Sequence, residues 1–122
     1  MTVKTEPLGT GAHLLSESDG FLSRETVTIA SGAGALVAGT VLGKITTGGK
    51  YVAYDNAASD GSQVAAGVLF AAVDATSADV PAVAHVRLCE VISSRLTWKA
   101  GLSGGDKTAG LADLAGAYVI AR

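Results

Sequence analysis

The sequence predicts a small, mainly β domain with one or two short helices, led by an extended N-terminal arm. Three observations predict it. Most of the 48% apolar fraction is Ala and Val, aromatics make up only 5%, and 16 glycines are scattered along the 122 residues, so elements should be short, closely packed and separated by many turns. Several segments alternate apolar and polar residues with a period of two. The first twenty residues sustain neither that period nor the helical one.

Those first residues, MTVKTEPLGTGAHLLSESDG, mix Pro7, glycines and polar side chains with isolated leucines, and read as an extended arm over 1–24. Its apolar points Leu8, Leu14, Leu15, Phe21 and Leu22, with Arg24 at its end, argue that it binds something. The β-rich domain follows over 25–122. RETVTIA alternates Val27 and Ile29 against Thr26 and Thr28, which predicts a half-buried strand. GAGALVAG (32–39) is glycine-rich enough for a loop. TVLGKIT and KYVAY, joined through Thr47, Gly48 and Gly49, give the strongest hairpin signal in the chain.

Asp55 to Gly61 is a polar turn, and the unbroken apolar run of QVAAGVLFAAVDA suits a strand buried on both faces, with a helix as the alternative. AVAHVRLCEVI alternates again, placing Ala84, Val86 and Leu88 on one face and His85, Arg87 and Cys89 on the other. Ser93 and Ser94 are placed to cap a short helical turn around Leu96. GGDKTAGLADLAGA predicts a helix between Gly105 and Gly116 with Asp106 as N-cap and Leu111 and Leu114 on one face, before a last strand in AYVIA.

Composition also narrows the function. A mean hydropathy of +0.40 with 16% charged residues is too apolar for disorder and low in charge for a free-standing monomer, so apolar surface is expected to meet another chain. A formal net charge of −2 without any Lys/Arg run lacks the electrostatic footprint of a nucleic-acid or membrane-surface binder. The lone Cys89 excludes an intrachain disulfide and fits a reducing cytoplasm. Neither a signal peptide nor a membrane span is expected, the longest apolar stretch being Val64 to Val73.

No catalytic, metal or cofactor constellation emerges. On one strand His85 and Cys89 would stand roughly 13 Å apart at ~3.3 Å per residue, too far to share zinc. His13, among polar residues, reads as a surface histidine. GLSGGDKT (101–108) looks like a phosphate-binding loop but carries Asp106 where glycine must precede the lysine, so it reads as a loop opening a helix. Glu17 and Asp19, or Asp55 and Asp60, read as turn residues bonding their own backbone. Lys50 stands at the hairpin without a lipoyl or biotinyl acceptor motif.

The segments GFLSRETVTIASG (20–32), AGTVLGKIT (38–46), AAGVLFAAVDA (65–75), RLCEVISSRLTW (87–98) and the ending YVIAR, in that order and spacing, resemble the lambda-type bacteriophage head decoration protein family. They cover most of the chain. Lys99 departs from the proline that often follows the tryptophan in that family. The resemblance implies a β-clip-like small barrel, an arm that orders on capsid binding, and a homotrimer that cements the three-fold and quasi-three-fold sites of an expanded head against DNA pressure. It implies the major capsid protein and the chain itself as partners, no enzyme activity or cofactor, assembly from the host cytoplasm, and a place on the outer capsid surface. Leu96 and Trp98 are candidate trimer contacts, aromatics being frequent interface anchors. A head-fibre base, a tail-tube protein, or a small β-rich enzyme or carrier subunit are the rival readings.

Overall fold

The computed structural model describes residues 9–18, 20 and 22–122. Leu8 and Phe21, two of the expected arm contacts, lie outside them. In chain order the described elements are β1 (Leu14–Glu17), β2 (Arg24–Ile29), β3 (Gly34–Leu36), β4 (Val41–Lys44), β5 (Tyr51–Ala53), β6 (Ala65–Leu69), β7 (Val73–Ala75), β8 (Val80–His85), β9 (Cys89–Val91), α1 (Gly104–Gly116) and β10 (Val119–Ala121). A 3-10 turn spans Ser93–Arg95.

Five strands close a barrel in the order β2-β5-β4-β6-β8. The β2–β8 ladder is the longest, running antiparallel from Arg24↔His85 to Ile29↔Val80. The expected hairpin is β4–β5, antiparallel through Leu42↔Ala53, Gly43↔Val52 and Lys44↔Tyr51. Closure between β2 and β5 rests on one parallel pair, Ile29↔Tyr51, extended by the Ala30 amide donating to the Tyr51 carbonyl at 3.0 Å. A three-stranded sheet, β1-β9-β10, flanks the barrel, and β3 pairs with β7 as a two-stranded ribbon.

Alternation along the strands builds two cores. Val27, Ile29, Leu42, Tyr51, Leu69 and Ala84 fill the first. Val41, Val68, Val91, Leu96, Leu114 and Val119 fill the second, which joins the barrel to the flanking sheet and α1. Val41 and Leu42 on β4, like Val68 and Leu69 on β6, serve opposite cores, so both strands are buried on both faces; the apolar run of 63–75, expected as one such strand, is divided into β6 and the partly exposed β7.

Four local expectations are corrected. GAGALVAG contains a strand, β3, because left-handed Gly32 and Gly34 bring the chain beside β7, where the Gly32 amide donates to the Ala75 carbonyl. AVAHVRLCEVI is two strands, since Leu88 adopts φ 53° and breaks the extension between His85 and Cys89. The 3-10 turn takes no side-chain cap from its serines.

The helix N-cap is Ser103, not Asp106: Ser103 Oγ accepts from the Asp106 amide at 3.1 Å and Asp106 Oδ2 accepts from the Ser103 amide at 3.0 Å. Serine can leave the helix in an extended backbone while its hydroxyl reaches N3, and aspartate completes the capping box. Ser103→Ala is expected to lower stability by about 1 kcal/mol. A fall in urea midpoint at unchanged slope would measure it, and an unchanged midpoint would refute it.

Candidate functional site

Gly9 to Ser18, ahead of β2, do not stand off the barrel. β1 pairs antiparallel with β9 through Leu14↔Val91, Ser16↔Glu90 and Glu17↔Cys89, with an irregularity at Leu15. Upstream, the Gly11 amide donates to the Phe70 carbonyl at 2.9 Å, and the Ile92 amide donates to the His13 carbonyl at 2.7 Å. Gly9 to Ser18 therefore form a strap laid across the barrel and the flanking sheet.

Beneath the strap lies a polar relay that sequence spacing did not reveal. His13, read above as a surface histidine, is fully buried, as is His85. His13 Nε2 lies 3.2 Å from His85 Nδ1, and His85 Nε2 lies 3.0 Å from Glu17 Oε2. Arg24 donates to both Glu17 oxygens, through Nη2 at 2.7 Å and Nε at 3.1 Å, and stacks over the Phe70 ring at 4.3 Å. Glu17 is thus a strand residue joining two elements, not a turn residue. The Arg24 hydrogen bond holds its carboxyl below the usual range, so it is a carboxylate that can only accept.

The proton positions follow. His85 Nε2 must carry a hydrogen to donate to Glu17, so neutral His85 accepts at Nδ1 and His13 donates from Nε2. His13 Nδ1 is left as a bare nitrogen, buried and without a partner among the described residues. Burial first, and the neighbouring His85 second, push the His13 imidazole down from 6.5 to about 4. Burial also lowers His85, against the opposing pull of Glu17. The relay has no nucleophile: burial pushes the Cys89 thiol up to about 11, keeping it protonated. Among the described residues no group of three or more His, Cys, Asp or Glu is placed to hold a metal ion, and no helix is long and apolar enough to cross a membrane.

Several large apolar side chains stand exposed on the strap and on the segments beside it. Leu15 is 51% exposed, Leu22 53%, Leu88 40% and Tyr118 67%. Leu88 and Tyr118 line one shallow depression together with Ser16, Glu17, Ser18 and Glu90, and Arg87, next to Leu88 in the chain, donates to the Leu22 carbonyl at 2.8 Å. Both Leu88 and Tyr118 hold left-handed backbones, φ 53° and 63°, which bulky side chains rarely adopt. The Cys89 amide donates to the Tyr118 carbonyl at 3.1 Å, and both Ser18 and Ser23 hydroxyls donate to the Leu88 carbonyl, so hydrogen bonds hold the two residues in place. No sequence signal marked either one.

The other expected site residues divide by burial. Leu14 packs into the second core and Arg24 is engaged with Glu17. Leu96 is buried in the second core. Trp98 is half-buried, edge-on to Tyr54 at 6.0 Å, and packs so tightly on α1 that a Cβ at Gly110 would lie 2.9 Å from its ring. Its remaining surface lines a groove of about 690 Å³ shared with Leu36, Val37 and Val52.

Compared with known proteins, the chain is similar to the bacteriophage lambda head decoration protein D family, whose model matches residues 3–119. No curated protein matches it.

Proposed function

The chain belongs to the bacteriophage lambda head decoration protein D family, and on that premise we propose that it docks as a homotrimer on the outer surface of an expanded head. It sits at three-fold and quasi-three-fold positions, clasping coat subunits against the pressure of packaged DNA. Membership makes it a structural, capsid-decorating component of the virion. The observation that carries the reading is a family match running over nearly the whole chain. The exposed apolar face around the strap supports it by supplying a surface for the docking.

In this reading the major capsid protein meets the β1-β9-β10 sheet and the residues leading into it. β1 is an edge strand, so an extended coat segment can add beside it through main-chain hydrogen bonds. Leu8 and Phe21 contribute apolar contacts from the leading segment, Leu15, Leu22, Leu88 and Tyr118 anchor the face, and Leu14 and Arg24 brace it from beneath. Neither nucleic acid nor membrane is touched.

Trimerisation does energetic work. Ordering a ten-residue segment at an interface costs on the order of 10–20 kcal/mol at ~1–2 kcal/mol of backbone entropy per residue, which one copy's contacts barely offset. Once one copy engages, its two partners bind at high effective concentration, and avidity exceeds single-site affinity by ~10²–10⁴. The exposed part of Trp98, backed by Leu96, is the proposed trimer contact. A protein that binds only the expanded lattice stabilises it by mass action.

Imaging purified expanded heads with and without the protein tests the proposal. Knobs at the three-fold positions, at an abundance near that of the coat protein, are expected. Density at a vertex or tail, or absence from mature particles, would overturn it.

A further inference from the structure

The strap and the barrel meet through a relay that has no place for an added proton. In its neutral form every ring nitrogen of His13 and His85 is accounted for except His13 Nδ1, which is buried and has no hydrogen-bond partner among the described residues. Protonating His13 puts an N–H there with no acceptor, together with a positive charge in a closed interior. Protonating His85 at Nδ1 sets it against the His13 Nε2 hydrogen. His13 must then turn its tautomer, and the same orphaned N–H results. Glu17 offers little compensation, because Arg24 already engages both of its oxygens.

We propose that Gly9–Ser18 is a proton-sensitive strap: neutral His13 and His85 lock it onto the barrel, and acid opens it. The lock does not rest on the capsid reading and holds for the free protein.

The charged and titratable groups meeting the pair are Glu17 on β1, Arg24 on β2 and Cys89 on β9, while Arg95 of the 3-10 turn donates to the Ala12 carbonyl at 3.1 Å. Arg24, raised by its hydrogen bond to Glu17, stays cationic and Cys89, raised by burial, stays neutral, so the two imidazoles are the groups that change between neutral pH and pH 5. Folding lowers both of their pKa values. The stabilisation is therefore complete above about 6.5 and is lost as pH falls from there toward 4.

For His13 alone, with 6.5 in the opened strap and about 4 in the closed one, the opening equilibrium rises about 30-fold between pH 7.5 and pH 5.

Hydrogen exchange on the full chain, corrected for the intrinsic pH dependence of exchange, tests this. The Gly11 and Ile92 amides, which close the strap, should lose about 30-fold protection between pH 7.5 and pH 5. Amides of β4 and β6 should change little. His13→Gln, whose amide can still donate to His85 without a second ring nitrogen, should flatten the response. His85→Gln provides the same test from the barrel side if the first variant folds poorly. Unchanged strap protection in the native chain, or a response undiminished in both variants, would overturn the lock.

Discussion

Replacing Leu88 and Tyr118 together with glycine should strip the protein from heads while leaving the free domain as stable as before, or more so. Both residues hold left-handed backbones, a conformation that costs an L-residue roughly 1–2 kcal/mol and glycine almost nothing. Glycine's larger unfolded-state entropy returns part of that gain, ~0.5–1 kcal/mol at each position, so the net change in stability should be small and favourable. Neither side chain fills a core, both being exposed. The loss should fall on docking: removing a central aromatic anchor costs ~2 kcal/mol or more, about 30-fold in affinity for each copy. Across the proposed trimer that compounds to roughly 10⁴-fold. Urea unfolding of the free protein and co-sedimentation with expanded heads read the two quantities separately. A destabilised domain would make the two residues structural, and undiminished decoration would remove this face from the docking surface.

Gly43→Ala should damage the fold more than any surface change. Gly43 lies mid-barrel on β4, opposite Val52 of β5 and Ala65 of β6, at an irregularity in the β4–β6 ladder. A Cβ there would stand 2.7 Å from the Ser62 Cα and 2.9 Å from its carbonyl carbon. These are backbone atoms, so no side chain can rotate away and the turn that carries Ser62 into β6 has to move. A loss of about 3–5 kcal/mol is expected, much of the ~5–15 kcal/mol available to a domain of this size. Gly116→Ala is the matched control, because open space surrounds Gly116 at the end of α1 and alanine favours helix by about 0.5–1 kcal/mol. Equal urea midpoints for the two variants would refute the steric account.

The barrel strands were legible where side chains kept one period and turns carried glycine. β2 shows in RETVTI, the β4–β5 hairpin in its Thr-Gly-Gly turn, and α1 in a run of helix formers. The break between β8 and β9 was hidden because Leu88 makes it. Leucine carries no turn signal, and the alternation of AVAHVRLCEVI continues through the kink. The relay was hidden for another reason: His13 and His85 are 72 positions apart, and only the strap lying across the barrel brings their rings together. A buried histidine looks like a surface one in sequence until its partners are known. The exposed face was half legible, since Leu15 and Leu22 stand among polar neighbours, whereas Leu88 and Tyr118 each sit inside a strand-like run.

The five barrel strands are not joined with equal strength around the ring. Six residue pairs bind β2 to β8, and one pair, Ile29↔Tyr51, binds β2 to β5. A hoop under tension parts at its thinnest weld, so a load that tries to widen this barrel should unzip it beside Tyr51 long before the seam on the other side of β2 yields. Whichever way the shell's stress crosses the molecule, the domain should tolerate it best when the pull runs along the β2–β8 wall.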